Sequence, residues 1–219
     1  MRDSVNKLAD YIARVARLTV QPVSIIVAEG DSVDGTPTKL YEWRAADERV
    51  TVTHCNTGAQ RYGSVVNEER FQVLAQVFNA ALAKVDVKDT THVLFLPDDI
   101  DYDADLLQRL LAHDVDLVAP LVWGDWFGTP YFYDTWAFRR QGGNFYNFSQ
   151  AWARQNLGDA LIDMESVGGT VLMRSTLIAA GCRYRAHDVD RGLCAMAHDF
   201  GFGVWCDAST HVRHVHYAQ

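Results

Sequence analysis

The order of elements in this 219-residue sequence predicts an α/β fold with a mixed, mostly parallel central sheet flanked by helices. Three observations carry that prediction. Short β-branched runs alternate with segments whose apolar residues recur at helical spacing. Two of those runs end in acidic, turn-rich loops, the place where open α/β sheets bind ligands. No linker, repeat or low-complexity stretch divides the chain, so residues 1–219 read as one domain. With 48% hydrophobic and 22% charged residues, the composition suits a sizeable core and excludes disorder, collagen-like sequence and a disulfide scaffold.

Taken in order, Val5, Leu8, Ile12 and Val15 mark a helix within residues 1–17, with Asp3 and Ser4 available as caps. Val23 to Ala28 is too short and too branched for a helix and reads as a strand, stopped by the polar loop Glu29 to Thr36. A short helix and a strand at Arg49 to Thr53 follow. Between Asn67 and Lys84, Phe71, Leu74, Phe78 and Leu82 share one helical face. His92 to Leu96 is a buried strand running into Pro97-Asp98-Asp99-Ile100-Asp101, then a helix from Asp103 to Ala112 and a strand from Asp116 to Val122. Residues 123–150 form an aromatic loop region that also carries Arg139 and Arg140. It is either a hydrophobic cluster under a long loop or a platform for stacking on a ring-shaped ligand. Ser166 to Met173 is a glycine turn entering a strand. Val189 to Phe200 is a helix closed by Gly201, and Val204 to Cys206 a last strand leading into a histidine-rich tail.

Charge narrows the partners. Lys and Arg number 20 against 28 Asp and Glu, a net charge of −8, so a generic nucleic-acid binder is excluded. The N-terminus has no signal-peptide core and no run approaches the roughly 20 apolar residues of a membrane span. The four cysteines are far apart and read as free thiols in a reducing cytoplasm. The fingerprints of dinucleotide, P-loop, α/β-hydrolase and zinc-hydrolase sites are absent. A phosphate-bearing ligand would meet repulsion from this acidic chain unless a divalent metal offset it.

Asp98, Asp99 and Asp101 crowd one strand end. Like charges at that range raise one another's pKa unless a hard cation relieves them, although a solvated turn and helix cap would use the same residues. The tail supplies imidazole. If it is extended, His214 and His216 share a face with Val212, and either could join the metal site. At the start of the last helix, Asp188 is either a cap or a carboxylate facing the cleft as a base or hydroxyl acceptor.

These residues together resemble the nucleotide-sugar glycosyltransferases of the GT-A fold, and within them the fungal capsule-associated mannosyltransferases. The similarity is carried by Glu29-Gly30-Asp31-Ser32-Val33-Asp34-Gly35-Thr36, by Arg70, Leu74, Ala75, Asn79 and Leu82, and by Tyr133-Asp134-Thr135-Trp136-Ala137-Phe138-Arg139. Val93 to Ile100 resembles the strand ending in the DxD motif, with Pro97 in place of its first acid. The register Asp99-Ile100-Asp101 restores a formal DxD, but Asp99-Ile100 better fits the acid and aliphatic residue that close the motif. Val167-Gly168-Gly169-Thr170 resembles the glycine turn near the sugar, His187-Asp188-Val189-Asp190 the Glu-Asp pair with His187 in place of the glutamate, and Asp207 to His214 the closing strand.

The resemblance implies a GT-A single domain and a metal-dependent hexosyltransferase using Mn2+ or Mg2+. Asp99 and His214 would hold the metal. Glu29, Asp31, Arg70, Asp98, Asp134, Trp136, Gly168 and Gly169 would contact a UDP- or GDP-linked sugar, and Asp188 would activate or orient the acceptor hydroxyl of a glycan or protein. Family-2-like relatives invert configuration and the mannosyltransferases retain it, so both outcomes stay open. A carbohydrate-binding module and a sugar nucleotidyltransferase are the rival readings; the acidic Glu29-Gly30-Asp31 loop stands against the second. The expected setting is bacterial or bacteriophage-encoded and cytoplasmic. With the whole chain assigned to the core, acceptor choice falls to the aromatic loop or to a partner subunit in a homo-oligomer.

Overall fold

The computed structural model describes residues 1–62, 67–148 and 161–215. Its first unit is a small layer built on helix α1 (Val5–Ala16), strand β1 (Ile25–Glu29), helix α2 (Thr36–Ala46) and strand β2 (Val50–His54). Leu8, Tyr11 and Val15 lie on one face of α1 and bury against Leu40 and Trp43 of α2 and Val27 and Val50 of the strands. The two strands pair in parallel, Ile25 opposite Val50 through Glu29 opposite His54, so the loops after them emerge side by side. Helix α3 (Glu68–Leu82) starts at Asn67, whose side chain accepts from the Arg70 backbone N–H at 3.0 Å; Glu68 and Glu69 complement the dipole of its first turn.

The remaining elements are β3 (His92–Phe95), β4 (Ile100–Asp101), α4 (Leu106–Ala112), β5 (Leu117–Trp126), β6 (Thr129–Phe132), β7 (Arg139–Arg140), β8 (Asn144–Phe145), β9 (Leu161–Asp163), β10 (Val171–Arg174), α5 (Ser175–Ala180), α6 (Val189–Asp199) and β11 (Val204–His214). Seven of these strands form one sheet, in the order β3-β10-β5-β11-β4, with β6 joined to β5 and β9 to β11. The expected mixed sheet is present, yet within it only β5 and β11 run parallel; the other pairings are antiparallel. Alternating side chains serve the two faces. Leu117, Ala119 and Leu121 pack toward α3, α5 and α6, whereas Val118 and Val122 pack toward α4. Burying a side chain such as Leu117 or Leu193 contributes about 1.5–3 kcal/mol each.

Two departures from the sequence reading bear on the site. Part of region 123–150 is regular structure, because β5 runs on to Trp126 and turns back into β6. Phe127 and Gly128 take φ of 50° and 85° there, the positive values a two-residue hairpin needs. Residues 149 and 150 of that region lie outside the described residues. The C-terminal strand continues well past Cys206, to His214, through an irregularity in which Asp207 opposes Pro120 but His211 opposes Leu121. The Asp207 carboxylate organises it, accepting from Ser209 N (2.9 Å), Ser209 Oγ (2.7 Å) and Thr210 N (3.2 Å) and pairing with His113 Nε2 (2.9 Å). Among the described residues, no helix is long and apolar enough to cross a membrane. The four cysteines are free thiols.

Candidate active site

Strand β3 ends at Phe95, and the chain turns through Asp98 and Asp99 into β4, which pairs with the end of β11. That pairing sets Ile100 opposite His214 and brings Asp99 beside it: Val215 N donates to Asp99 O at 2.8 Å, and His214 Nε2 lies 3.3 Å from Asp99 Oδ2. The His214 side chain is only 13% exposed, and its ring stacks on Tyr133. Burial alone would raise the Asp99 carboxyl, but His214 and Lys7 together with a backbone hydrogen bond outweigh it and the group sits below its usual range. Asp101 instead pairs with Arg213 Nη2 at 2.6 Å. His216, the other tail candidate, lies outside the described residues.

Asp98 is turned the other way, toward α1. Its carboxylate accepts from Ser4 Oγ (2.5 Å) and pairs with Lys7 Nζ (3.1 Å), while its carbonyl accepts from Arg14 Nη2 (3.1 Å). Glu29, buried at the end of β1, lies between His54 Nδ1 (2.7 Å) and the Ser32 N–H (3.2 Å). Asp31 has φ of 57° and accepts from Thr57 Oγ1 (2.7 Å), Thr57 N (3.1 Å) and Gly58 N (3.0 Å). The Thr57 hydroxyl bond leads in holding its carboxyl below the usual range. These acids therefore shape the loops beyond β1 and β2.

A second group of acids gathers over the glycine turn. After Tyr133, whose N–H donates to Val122 O at 2.9 Å, the Asp134 carboxylate accepts from Ala137 N at 3.2 Å. A Cβ on Gly168 would lie 3.1 Å from Oδ2 of Asp134, 3.1 Å from Oδ2 of Asp190 and 2.5 Å from Ala137 Cβ, so only glycine leaves this space open. Gly169 follows with φ of 72°, a conformation that also favours glycine. Burial, reinforced by Asp134, pushes Asp190 up to about 8; burial pushes Asp134 up to about 6. Arg70, reaching in from α3, partly opposes the shift of Asp190.

Asp188 heads α6 and makes no side-chain cap bond; it pairs with Arg191 Nη1 at 3.4 Å and is 39% exposed. Between the two acids Val189 takes φ of 38°, an outlier for a β-branched residue and a strained backbone of the kind found at functional sites. Trp136 stands at the rim, 40% exposed and stacked on Phe71, with the guanidinium carbons of Arg139 and Arg191 at 5.7 and 5.3 Å from its ring.

The structure thus brings Asp99 together with His214, and Asp134 together with Gly168 and Gly169, while Arg70 acts on Asp190 beside them. Tyr133 links the two groups: burial, Asp99 and Asp134 together push its hydroxyl up to about 12. Glu29 stands instead at the end of β1 in the two-stranded sheet, and Asp31 in the loop that follows it. Among the described residues no cluster of three or more His, Cys, Asp or Glu could hold a metal ion, so Asp99 and His214 offer two protein ligands. Asp190 and Tyr133 were passed over in the sequence, although both stand inside quoted motifs. Asp188 and Asp190, two residues apart at a helix start, point in nearly opposite directions, so that spacing marks one of the pair as inward without saying which.

Known proteins share this architecture. S. aureus TarS (residues 1–349) superposes with a TM-score of 0.60 at 12% identity, covering 98% of this chain and 58% of that one. The mannosyltransferase PcManGT from Pyrobaculum calidifontis, solved with GDP-Man and Mn2+, gives 0.57 at 13% identity, covering 97% and 54%. GalNAc-T7, solved with UDP, GalNAc and Mn2+, gives 0.60 at 12% identity, covering 98% and 41%. The chain therefore spans little more than half the length of these proteins or less. At such identities the likeness shows the fold, which is that of the GT-A glycosyltransferases. Comparison with curated protein sequences gave no match. The order of motifs had pointed to the same group, and a family model matches nearly the whole run that carries them, residues 4–200: the chain belongs to the Cryptococcal mannosyltransferase 1 family.

Proposed function

We propose that this protein transfers a hexose from a UDP- or GDP-linked sugar to an acceptor hydroxyl on a glycan or protein, with a divalent cation held by Asp99 and His214. The observation that carries the reading is the contact between Asp99 and His214 beside the pocket of Asp134 and Asp190, with Tyr133 between them. A carboxylate oxygen and an imidazole nitrogen form a mixed donor set that suits Mn2+ or Mg2+, with coordination positions left for diphosphate oxygens and water. When bound, the ion supplies stabilisation of the charge that develops on the departing diphosphate.

The protein's own groups divide the remaining tasks. Glu29 and Asp31 hold the loops beyond β1 and β2 in shape to meet the base and ribose. Asp98 fastens the turn that carries Asp99 onto α1. Gly168 and Gly169 give the sugar access to Asp134, and Arg70 balances the charge there. Asp190 takes the acceptor-activating role that the motif alone would give to Asp188, since a carboxyl titrating near neutrality suits proton exchange with a hydroxyl. Asp188 and Arg191 then orient the acceptor at the mouth, against Trp136.

The test is a screen of UDP-, GDP- and dTDP-sugars with Mn2+, reading released nucleotide with and without chelator. The expected result is turnover of one donor that chelator and Asp99→Ala both abolish. Undiminished turnover in chelator would remove the metal from the reading. Binding of free glycan without any donor turnover would favour the carbohydrate-binding alternative.

A further inference from the structure

We infer that Tyr133 is a positioning residue of the cation site: the face of its ring fixes the His214 imidazole in the orientation that turns Nε2 toward Asp99. The inference rests on the reading that Asp99 and His214 hold a divalent ion. The phenol and imidazole rings lie 3.9 Å apart between centroids with 12° between their planes. Other tight ring pairs of the molecule are edge-on, such as Tyr146–Phe148 at 4.3 Å and 68° and Phe78–Phe95 at 4.6 Å and 60°. A parallel stack at this range holds the plane of the imidazole against tilting about its side-chain torsions, which an edge contact does not.

The stack is also held from behind. Tyr133 N–H donates to Val122 O, and Val122 pairs with Val212 of β11, two residues before His214 on the same strand face. The ring, just past the end of β6, and the imidazole it covers, on β11, are thus both mounted on the strand between them, β5. His214 itself is the last residue of β11 and gains backbone support on its other side from Ile100 of β4. Backbone pairing sets where its Cα sits but not which way the imidazole points, and the Tyr133 face supplies that second constraint. Outer groups that orient a ligating histidine commonly change metal affinity by about 10–100-fold. Here the orienting contact is a ring face, so the hydroxyl is dispensable for it.

The experiment is Mn2+ titration by electron paramagnetic resonance of the free ion, with GDP and separately with UDP present, on the wild type, Tyr133→Phe, Tyr133→Leu and Asp99→Ala. Tyr133→Phe is expected to bind within about twofold of wild type, and Tyr133→Leu about tenfold more weakly. Should Tyr133→Leu fail to fold by circular dichroism, Tyr133→Met provides the same contrast with Phe. Wild-type affinity in the Leu or Met variant overturns the inference, as does equal loss in the Phe variant, while Asp99→Ala still loses binding. If Asp99→Ala binds Mn2+ like the wild type, or the wild type binds none, the cation site itself falls and the inference with it.

Discussion

Two groups of acids in this molecule live under different rules. Glu29, Asp31, Asp34 and Asp98 are met by donors: His54 and Ser32, Thr57 and Gly58, Thr36 and Val5, Ser4 and Lys7. Asp34 sits below its usual range despite burial, through bonds from Thr36 and Val5, as does Asp31 through Thr57. Asp134 and Asp190 face each other instead, and both are pushed up. The net charge of −8 is therefore not one pool. Carboxylates saturated with donors act as fixed joints of loops, whereas two that share a desolvated space are pushed up toward neutrality.

The strongest way to break this contrast is at the pair proposed to hold the cation. Asp99→Ala or His214→Ala is expected to lower transfer about 10²–10³-fold, a magnitude typical of removing transition-state charge stabilisation, with little change in melting temperature. Next, Asp190→Asn is expected to lower turnover by about 10²-fold, against less than about tenfold for Asp188→Asn; equal losses would return the proton-exchanging role to the surface acid. The same Asp190→Asn variant should be the more heat-stable one at pH 8. Asp190 has a folded pKa raised above its unfolded value, so its charge destabilises the fold progressively as pH rises from about 4 toward about 8, and melting curves at pH 5 and pH 8 would show the gap widening.

Smaller effects separate joints from chemistry. Asp31→Ala should cost about 0.5–1.5 kcal/mol in urea unfolding, because it leaves Thr57 and Gly58 without their acceptor. Asp207 sharpens the division, since it lies far along the chain from the first group yet is likewise saturated with donors. Its carboxyl is held low, against burial, by Thr210, Ser209 and His113, so its contribution is present above the unfolded value near 4 and lost as pH falls through the depressed folded value. Asp207→Asn should therefore flatten the acid side of the stability profile by about 1 kcal/mol.

Much of this was legible from periodicity. The spacing of Leu8 and Val15, of Phe71 and Leu82, and the β-branched run after Val23 fixed which faces are buried, because burial is what those periods encode. The β5–β6 hairpin was not legible: its turn places Phe127, not Asn or Gly, at a positive φ, so the usual signal is missing. Nor was the antiparallel majority of the sheet, which depends on short strands such as β4 and β9 finding β11 across long separations. Asp99 and His214 could be named because motif order points at them. Tyr133 and Asp190 could not, since their roles depend on which way a ring and a helix start are turned.

The irregularity between Asp207 and His211 inserts three residues, Ala208, Ser209 and Thr210, with no partner on β5. An odd insertion inverts the alternation of a strand. Before it, Val204 and Cys206 face α3 and α6, and Trp205 faces α4; after it, Val212 has crossed to the side of Trp205. His214 follows Val212 by two and inherits that side. The Asp207 turn is thus a parity switch for the strand: adding or removing one residue within it would exchange the faces of His214 and Arg213, and would separate His214 from Asp99 without touching either residue.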